Sequence, residues 1–505
     1  MIKEQKDIYK SFRSKILAYQ YALYVISFDS ETLLTSGSFD IRSKHIGVLS
    51  NTLYDLSINE EYVNSIYYLS DHKDELDSTF AFEIQKERKN IDKLKKVPSK
   101  EYVDYQVLLA KSQNIWGQAK NKNDFSIVKD CLKGIVAFNR KYVKWQETDD
   151  IKGYDVLLDE YENGYTTKEY DTFFDLLKEK LVPFINQVTN KNKKIIDLSN
   201  KSFDVNGQKE FTKYIENVMC YDKNYGTFSE SEHPFTSGFG PTEVRYTNHY
   251  YENDLHSGIF SAIHELGHCT YELQVDHKFV GTYLTGGASM AMHESQSRFY
   301  ENIVGRSYEF WRNRYKTLQM VFYDELKDIS AKEFYLSCNK VEKSLIRTEA
   351  DELTYPIHIM IRYDLEKELI SGKLEVEDIP KAWNQKVKNY LGLEVKDDKV
   401  GCLQDVHWFT GSIGYFPTYA LGSAYASQFY NAMNKDFDVL KDLRTSATTN
   451  HINKWLKDNV HKYGASMFPK DILKKATKED FNPNYYLNYL IDKYTKIYEL
   501  EVDSM

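Results

Sequence analysis

Residues 253–273 read NDLHSGIFSAIHELGHCTYEL. Leu255, Ile259, Ala262, Ile263, Leu266 and Leu273 recur at helical spacing, and Asn253, Asp254 and Ser257 are residue types that cap a helix N-terminus. The spacing predicts a helix with an apolar side. Positions four apart share one face of a helix, so His264 and His268 can reach a single ion. Glu265 then projects beside that ion, where it can take a proton from a bound water. Two surface histidines on an ordinary helix would give the same pattern by chance on the order of a few hundredths of a time per chain.

Working outward from this stretch, the rest of the chain reads as helical too. Before Pro183 the only proline is Pro98. Phe12, Ile16, Tyr19, Leu23 and Ile26 form one helical face there, and Tyr105, Leu108, Leu109, Ser112 and Trp116 another. Residues 1–220 are therefore expected to be almost entirely helical. Residues 225–256 are rich in Gly, Ser, Pro and aromatics, with Glu243–Thr247 as a short strand. Helical patterning resumes near Ser257 and runs to the C-terminus, broken at 281–289, 399–417 and 462–470. No repeat, linker or low-complexity tract divides the chain. The expected class is mainly α, with a small β element beside the His264–His268 helix.

Composition narrows the function. The 66 basic and 75 acidic residues leave a formal charge of −9, which argues against a nucleic-acid partner. The lysines of 86–96 read as a solvated face. Five scattered cysteines without CxxC spacing indicate neither a disulfide framework nor a zinc knuckle. Cys269, beside a histidine of the motif, reads as a packed thiol. The N-terminus lacks the apolar core of a signal peptide, and no stretch approaches the ~18 apolar residues of a membrane span. A cytoplasmic protein without a membrane partner is expected. The 41 tyrosines suit helix–helix seams, each bringing an apolar body and a polar tip.

Seven of the thirteen histidines fall between His233 and His293. A catalytic metal site needs a third ligand and an open position for water. A metzincin would continue with Gly and His after His268, but Tyr271 and Gln274 stand there. A carboxylate is the other common solution, and two are available. Glu272 lies one turn beyond His268 and would continue the row along the same helix. Glu294, after Gly286-Gly287, would close a tetrahedron from a second helix.

At this point the chain resembles the thermostable carboxypeptidase (Taq carboxypeptidase) family of metallocarboxypeptidases. Seven motifs carry the resemblance in order. His233-Pro-Phe235 is followed by the DxRxT-like Glu243-Val-Arg-Tyr-Thr247, HExxH at 264–268 and HESQ at 293–296. IRxxAD then appears as Ile346–Asp351, GxxQDxHW as Gly401–Trp408, and the tail as Gly414-Tyr-Phe-Pro-Thr-Tyr-Ala-Leu-Gly422. Glu243 departs from the pattern, standing where the family has Asp.

The resemblance implies a mainly helical, saddle-like metallopeptidase body with a deep groove, related to angiotensin-converting enzyme and neurolysin. It implies one domain over 1–505, with residues 1–220 as a groove wall and 221–505 as the motif-bearing catalytic part. It further implies a homodimer that removes single C-terminal amino acids from peptides with broad specificity, using zinc or cobalt, one ion per subunit. His264, His268 and Glu294 are then the metal ligands and Glu265 the general base. A zinc oligopeptidase cutting inside short peptides is the alternative.

Such chemistry needs a donor for the oxyanion. In the related helical peptidases a His with a Tyr a short way downstream supplies it, so His407 and Tyr419 are the candidates, with Tyr415 fitting the spacing less well. An exopeptidase also needs a cation for the substrate carboxylate, and Arg grips a carboxylate bidentately. Arg245 and Arg347 are the choices. Arg347, in what reads as a helical segment, has the more rigid platform. Tyr415 and Gln404 are expected to line the substrate, and Asp351, Asp405 and His233 to orient the groups that do. Glu243–Thr247 is expected to be an edge strand that pairs with the peptide backbone.

Overall fold

The computed structural model describes residues 1–501, and it is mainly helical with one small sheet. The helical N-terminal part ends with the Val205–Val218 helix. Its first four helices are α1 (Ile2–Thr32), α2 (Phe39–Ser57), α3 (Glu60–Asp71) and α4 (Ser78–Lys96). The starts of α3 and α4 are set by side-chain caps: Asn59 accepts from the Glu61 and Tyr62 amides, and Asp77 from the Phe80 amide. These helices share a core of their own, built from Tyr9, Ile16, Tyr62, Ile66, Leu69 and Ile84. A second, far larger core runs from Ala119 to Tyr498.

Two glutamates are buried in the smaller core. Tyr9 donates its hydroxyl to Glu83 at 2.8 Å, and Tyr62 donates to Glu87 at 2.5 Å. Burial pushes the Glu87 carboxyl up to about 7, against the pull of the Tyr62 hydroxyl and Arg13. An unfolded Glu titrates near ~4.3, so between there and about 7 the folded chain holds the extra proton. Stability from this group therefore falls as pH rises through that window and levels off above it. Denaturation midpoints between pH 5 and 8 are expected to fall less steeply in Glu87→Gln than in the parent. An identical slope would show that Glu87 does not titrate there.

The lysines of α4 meet the expectation of a solvated face only in part. Lys89 pairs with Asp159 and Lys93 with Glu160, both at 2.8 Å, and Lys86 donates to the Ala465 carbonyl. Positions 86, 89 and 93 share one helical face, from which Lys89 and Lys93 reach the Tyr154–Tyr161 helix. Lys89, Lys95 and Lys96 remain exposed, with the Lys95 ammonium 4.5 Å from the Tyr67 ring centre.

The sheet has three strands, β1 (Gly226–Glu230), β2 (Thr236–Gly238) and β3 (Val244–Asn248), in the order β1-β3-β2. β1 runs parallel to β3 with Gly226 opposite Val244, and β2 runs antiparallel with Thr236 opposite Tyr246. The strand at 244–248 is therefore central, not an edge. Both its neighbours are occupied, and Val244, Tyr246, Thr247 and Asn248 are fully buried. A peptide cannot add to it; β2 is the edge strand nearer Glu265.

An aromatic clasp holds α1 to this sheet. The Arg245 guanidinium lies 5.3 Å from the ring centres of both Tyr24 and Phe28. Phe28 meets Phe235 edge-on, and Tyr21 donates to Glu243 at 2.7 Å. Among the described residues no helix is long and apolar enough to cross a membrane.

Candidate metal centre

The motif helix spans Leu255–Leu273 and starts at Asp254, whose side chain accepts from the Ser257 amide. A second helix, Met290–Arg298, crosses it at Gly267. A Cβ on Gly267 would sit 2.8 Å from the Gln296 carbonyl oxygen, so the two backbones touch there. A third helix, Pro417–Asp436, approaches at Gly422, where a Cβ would meet the Glu294 Cβ at 2.7 Å. Two glycines thus let three helices close around Glu294.

The result is a triangle of donor atoms. Glu294 Oε2 lies 3.7 Å from His264 Nε2 and 3.6 Å from His268 Nε2, and one ligand atom from each residue falls within 4.8 Å of the others. A tetrahedral ion with bonds of ~2.0–2.1 Å holds its ligands roughly 3.3 Å apart. The two carboxylate–imidazole distances exceed that by only a few tenths of an ångström, and the donor types are those such an ion takes.

Outer contacts aim the lone pairs. His264 Nδ1 donates to Glu301 Oε2 at 2.9 Å, leaving Nε2 free toward the triangle. His293 Nε2 donates to Glu272 Oε1 at 2.8 Å. Its Nδ1 then accepts from His268 Nδ1 at 2.6 Å, which leaves the His268 Nε2 lone pair facing inward. Glu272 is thereby turned to His293 and the Gly287 amide, away from the triangle. Arg298 donates to Glu294 Oε1 at 2.7 Å and to Glu301 at 3.1 Å. Burial alone would raise the Glu301 carboxyl, but Arg298, the His264 hydrogen bond and Arg306 outweigh it and hold it well below the usual range.

Glu265 lies beside the triangle and is 7% exposed. Burial raises its carboxyl above the ordinary value, while His264 and the Thr236 hydroxyl pull the other way. Thr236, on the edge strand β2, donates to Glu265 Oε2 at 2.7 Å. Cys269 is fully buried in the same wall.

His407, Tyr415 and Tyr419 come together. The His407 and Tyr415 rings stack with centres 5.8 Å apart, Tyr415 and Tyr419 meet edge-on at 5.1 Å, and the Tyr419 hydroxyl is 3.5 Å from His407 Nε2. Burial, joined by Arg347 and Arg362 and opposed by Asp405, pushes His407 down to about 4, so its ring is neutral at neutral pH. Its Nδ1 is buried without a partner among the described residues. Glu366 fixes the loop beneath, accepting from Trp408 Nε1 and the Gly414 amide, both at 2.7 Å.

Arg347 lies beside this cluster, its guanidinium 5.3 Å from the Tyr419 ring centre. It donates twice to Asp405, at 3.1 and 3.0 Å, and once to Tyr355. Asp405 also accepts from the buried Arg362. Two guanidiniums therefore share one carboxylate, and the trio keeps one excess positive charge. Arg245, by contrast, is neutralised by Glu243 and stacked in the clasp on α1.

The platform of Arg347 differs from expectation. Residues 341–354 are loop apart from one 3₁₀ turn at Arg347–Glu349. Asp351 accepts from the Glu342, Leu353 and Thr354 amides and the Thr354 hydroxyl, so a side chain takes amides that a helix would have used. Gln404 also serves this loop. Its Oε1 accepts from the Arg347 amide at 2.8 Å and its Nε2 donates to the Leu345 and Gly401 carbonyls, which commits the whole amide to backbone. His233 is exposed, and its carbonyl accepts from Ser231.

Several participants carry little signal in the sequence, Arg362, Glu366 and Tyr355 among them. His293 adjoins Glu294 and could have been suspected from that. Arg298 follows Glu294 by one helical turn, and Glu301 lies beyond it in the π-helical stretch Phe299–Gly305. Thr236 carries no motif signal beyond following His233-Pro-Phe235.

With this geometry in view, comparison with known proteins is informative. The family described as carboxypeptidase Taq (M32) metallopeptidase matches residues 8–494. Carboxypeptidase 1 of Bacillus subtilis is 38% identical over 487 residues, covering 96% of this chain and 97% of that one. Thermostable carboxypeptidase 1 of Pyrococcus furiosus is 32% identical, covering 97% and 98%. The crystal structure of an M32 carboxypeptidase from Deinococcus radiodurans R1 superposes with a TM-score of 0.94 at 29% identity, over 98% of this chain and all of that one.

Proposed function

The chain belongs to the carboxypeptidase Taq (M32) metallopeptidase family and is a metallocarboxypeptidase, and we propose that it works through zinc held by His264, His268 and Glu294 with Glu265 as general base. The observation that carries this reading is the convergence of two imidazole nitrogens and one carboxylate oxygen beside a buried fourth group, Glu265. Two nitrogens, one oxygen and an open position suit zinc, and cobalt fits the same donors.

An ion in this triangle supplies an acidified water and a Lewis acid for the scissile carbonyl. Glu265, aimed by Thr236, accepts the proton of the attacking water and passes it to the leaving amine. Its raised pKa brings it closer to the value at which taking and returning a proton are balanced. Neutral His407 and the Tyr419 hydroxyl donate to the oxyanion, where one such donor contributes roughly 3 kcal/mol. Arg347 receives the substrate's free carboxylate, because its trio with Asp405 and Arg362 carries an uncompensated positive charge. Tyr415 packs beside the donors, and Asp351, Asp405 and Gln404 hold the Arg347 loop. The resemblance supports broad tolerance of side chains. The resemblance also supports one ion per subunit, a homodimer, a cytoplasmic location and a single domain over 1–505.

Mass spectrometry of a mixed peptide digest over time tests this reading. The expected products form a ladder that shortens from the C-terminus one residue at a time. Prolonged chelation is expected to stop the ladder and zinc or cobalt to restart it, with no change in the far-UV helical signal. Internal fragments in place of the ladder would make the enzyme an oligopeptidase. Undiminished turnover after the ion is removed would end the metal mechanism.

A further inference from the structure

Tyr355 opens the Tyr355–Ser371 helix and is only 6% exposed. Its amide donates to the Asp351 carbonyl at 2.9 Å, so the Asp351-pinned loop fixes where its side chain begins. The Arg298 guanidinium lies 4.4 Å from its ring centre. The same guanidinium holds Glu294 and Glu301, and through them the triangle. The Tyr355 hydroxyl accepts from Arg347 at 3.2 Å. Its ring also meets Tyr419 edge-on, with centres 6.5 Å apart. The arginine that steadies a metal ligand and the arginine beside the oxyanion donors thus meet at one phenol.

We propose that Tyr355 is a positioning residue that couples the Glu294 network to Arg347, its ring acting on the metal side and its hydroxyl on the substrate side. The chemistry gives such a part a purpose. An exopeptidase must place the scissile carbonyl one residue from the anchored carboxylate, so the distance from ion to anchor has to be fixed. A single rigid side chain touching both arginines fixes it. Removal of the ring frees Arg298 to swing from Glu294, whereas removal of the oxygen alone frees only Arg347. The inference rests on Arg347 as the carboxylate anchor for its substrate half, but not for its metal half.

Two variants separate the halves, measured by competition of the ion with a chromophoric chelator and by KM and kcat on one peptide as free acid and as amide. Tyr355→Phe is expected to keep ion affinity within about twofold of the parent and to raise KM on the free acid about fivefold. Tyr355→Leu is expected to weaken ion affinity about tenfold in addition. Ion affinity equal to the parent in Tyr355→Leu, or KM equal to the parent in Tyr355→Phe, would overturn the coupling. So would a lowered melting temperature with both constants unchanged, the mark of packing alone. A KM rise in Tyr355→Phe that is equal on acid and amide would remove Arg347 from the role of carboxylate anchor and overturn the substrate half, while a weakened ion affinity in Tyr355→Leu would still uphold the metal half.

Discussion

Glu265→Gln is expected to keep its ion and lose roughly 10³-fold or more in kcat. The amide has nearly the shape of the carboxylate and can still accept from Thr236, so the wall beside the triangle should stay in place. It cannot take a proton from water, and it cannot return one to the amine. Both steps belong to the transition state, so the loss should fall on kcat with KM little moved. The three donors of the triangle do not include Glu265, which is why metal content should be normal. Metal analysis showing a full site together with near-normal kcat would remove Glu265 from the mechanism.

The second large effect concerns the choice of chain end, on which the metal chemistry itself has no preference. A charge-assisted bidentate hydrogen bond contributes roughly 1.5–3 kcal/mol, or one to two decades in rate. Arg347→Ala is accordingly expected to lower kcat/KM on free-acid peptides at least about tenfold, and to change the already slow cleavage of amidated peptides far less. Asp405 keeps Arg362 as its partner in this variant, so no buried carboxylate is left unpaired. Lys at the position should rescue only in part, since a point charge lacks the fork. Arg245→Ala is the informative contrast. Its loss should loosen the clasp on α1 and affect acid and amide alike. If Arg245→Ala discriminates and Arg347→Ala does not, the anchor lies on the strand.

Much of this centre was legible in the sequence because helices translate spacing into direction. A spacing of four from His264 to His268 means one face, and apolar positions at 255, 259, 262, 263 and 266 mean a buried one. The mainly α class followed from the same periodicity. The small β element was foreseen only in its central strand, because β1 and β2 are short, Gly- and Ser-containing and lack alternation. Their parallel and antiparallel pairing around β3 depends on contacts that no local pattern encodes. The edge-strand expectation failed for that reason.

The helical expectation for Ile346–Asp351 failed for a different one. Asp351 competes for backbone amides through its side chain, and the periodicity of apolar residues carries no trace of that competition. Glu301 stayed hidden because it sits in a π-helical stretch, Phe299–Gly305, where ordinary helical spacing no longer gives direction. Thr236 and Glu265 are 29 residues apart and meet only once the sheet is packed.

The contacts at Gly267 and Gly422 bear on how tightly the ion is held. In small metal-folded modules the ligands are disordered until the ion arrives, so part of its binding energy is consumed in ordering them. Here backbone meets backbone at Gly267, and Gly422 presses on the stem of Glu294, so the ligands lose their freedom when the helices assemble. Immobilising a flexible side chain on binding costs ~0.5–1.5 kcal/mol, and three ligands would otherwise meet that cost together. With the entropy already lost in folding, the intrinsic attraction of the donors for an ion appears almost undiminished as affinity.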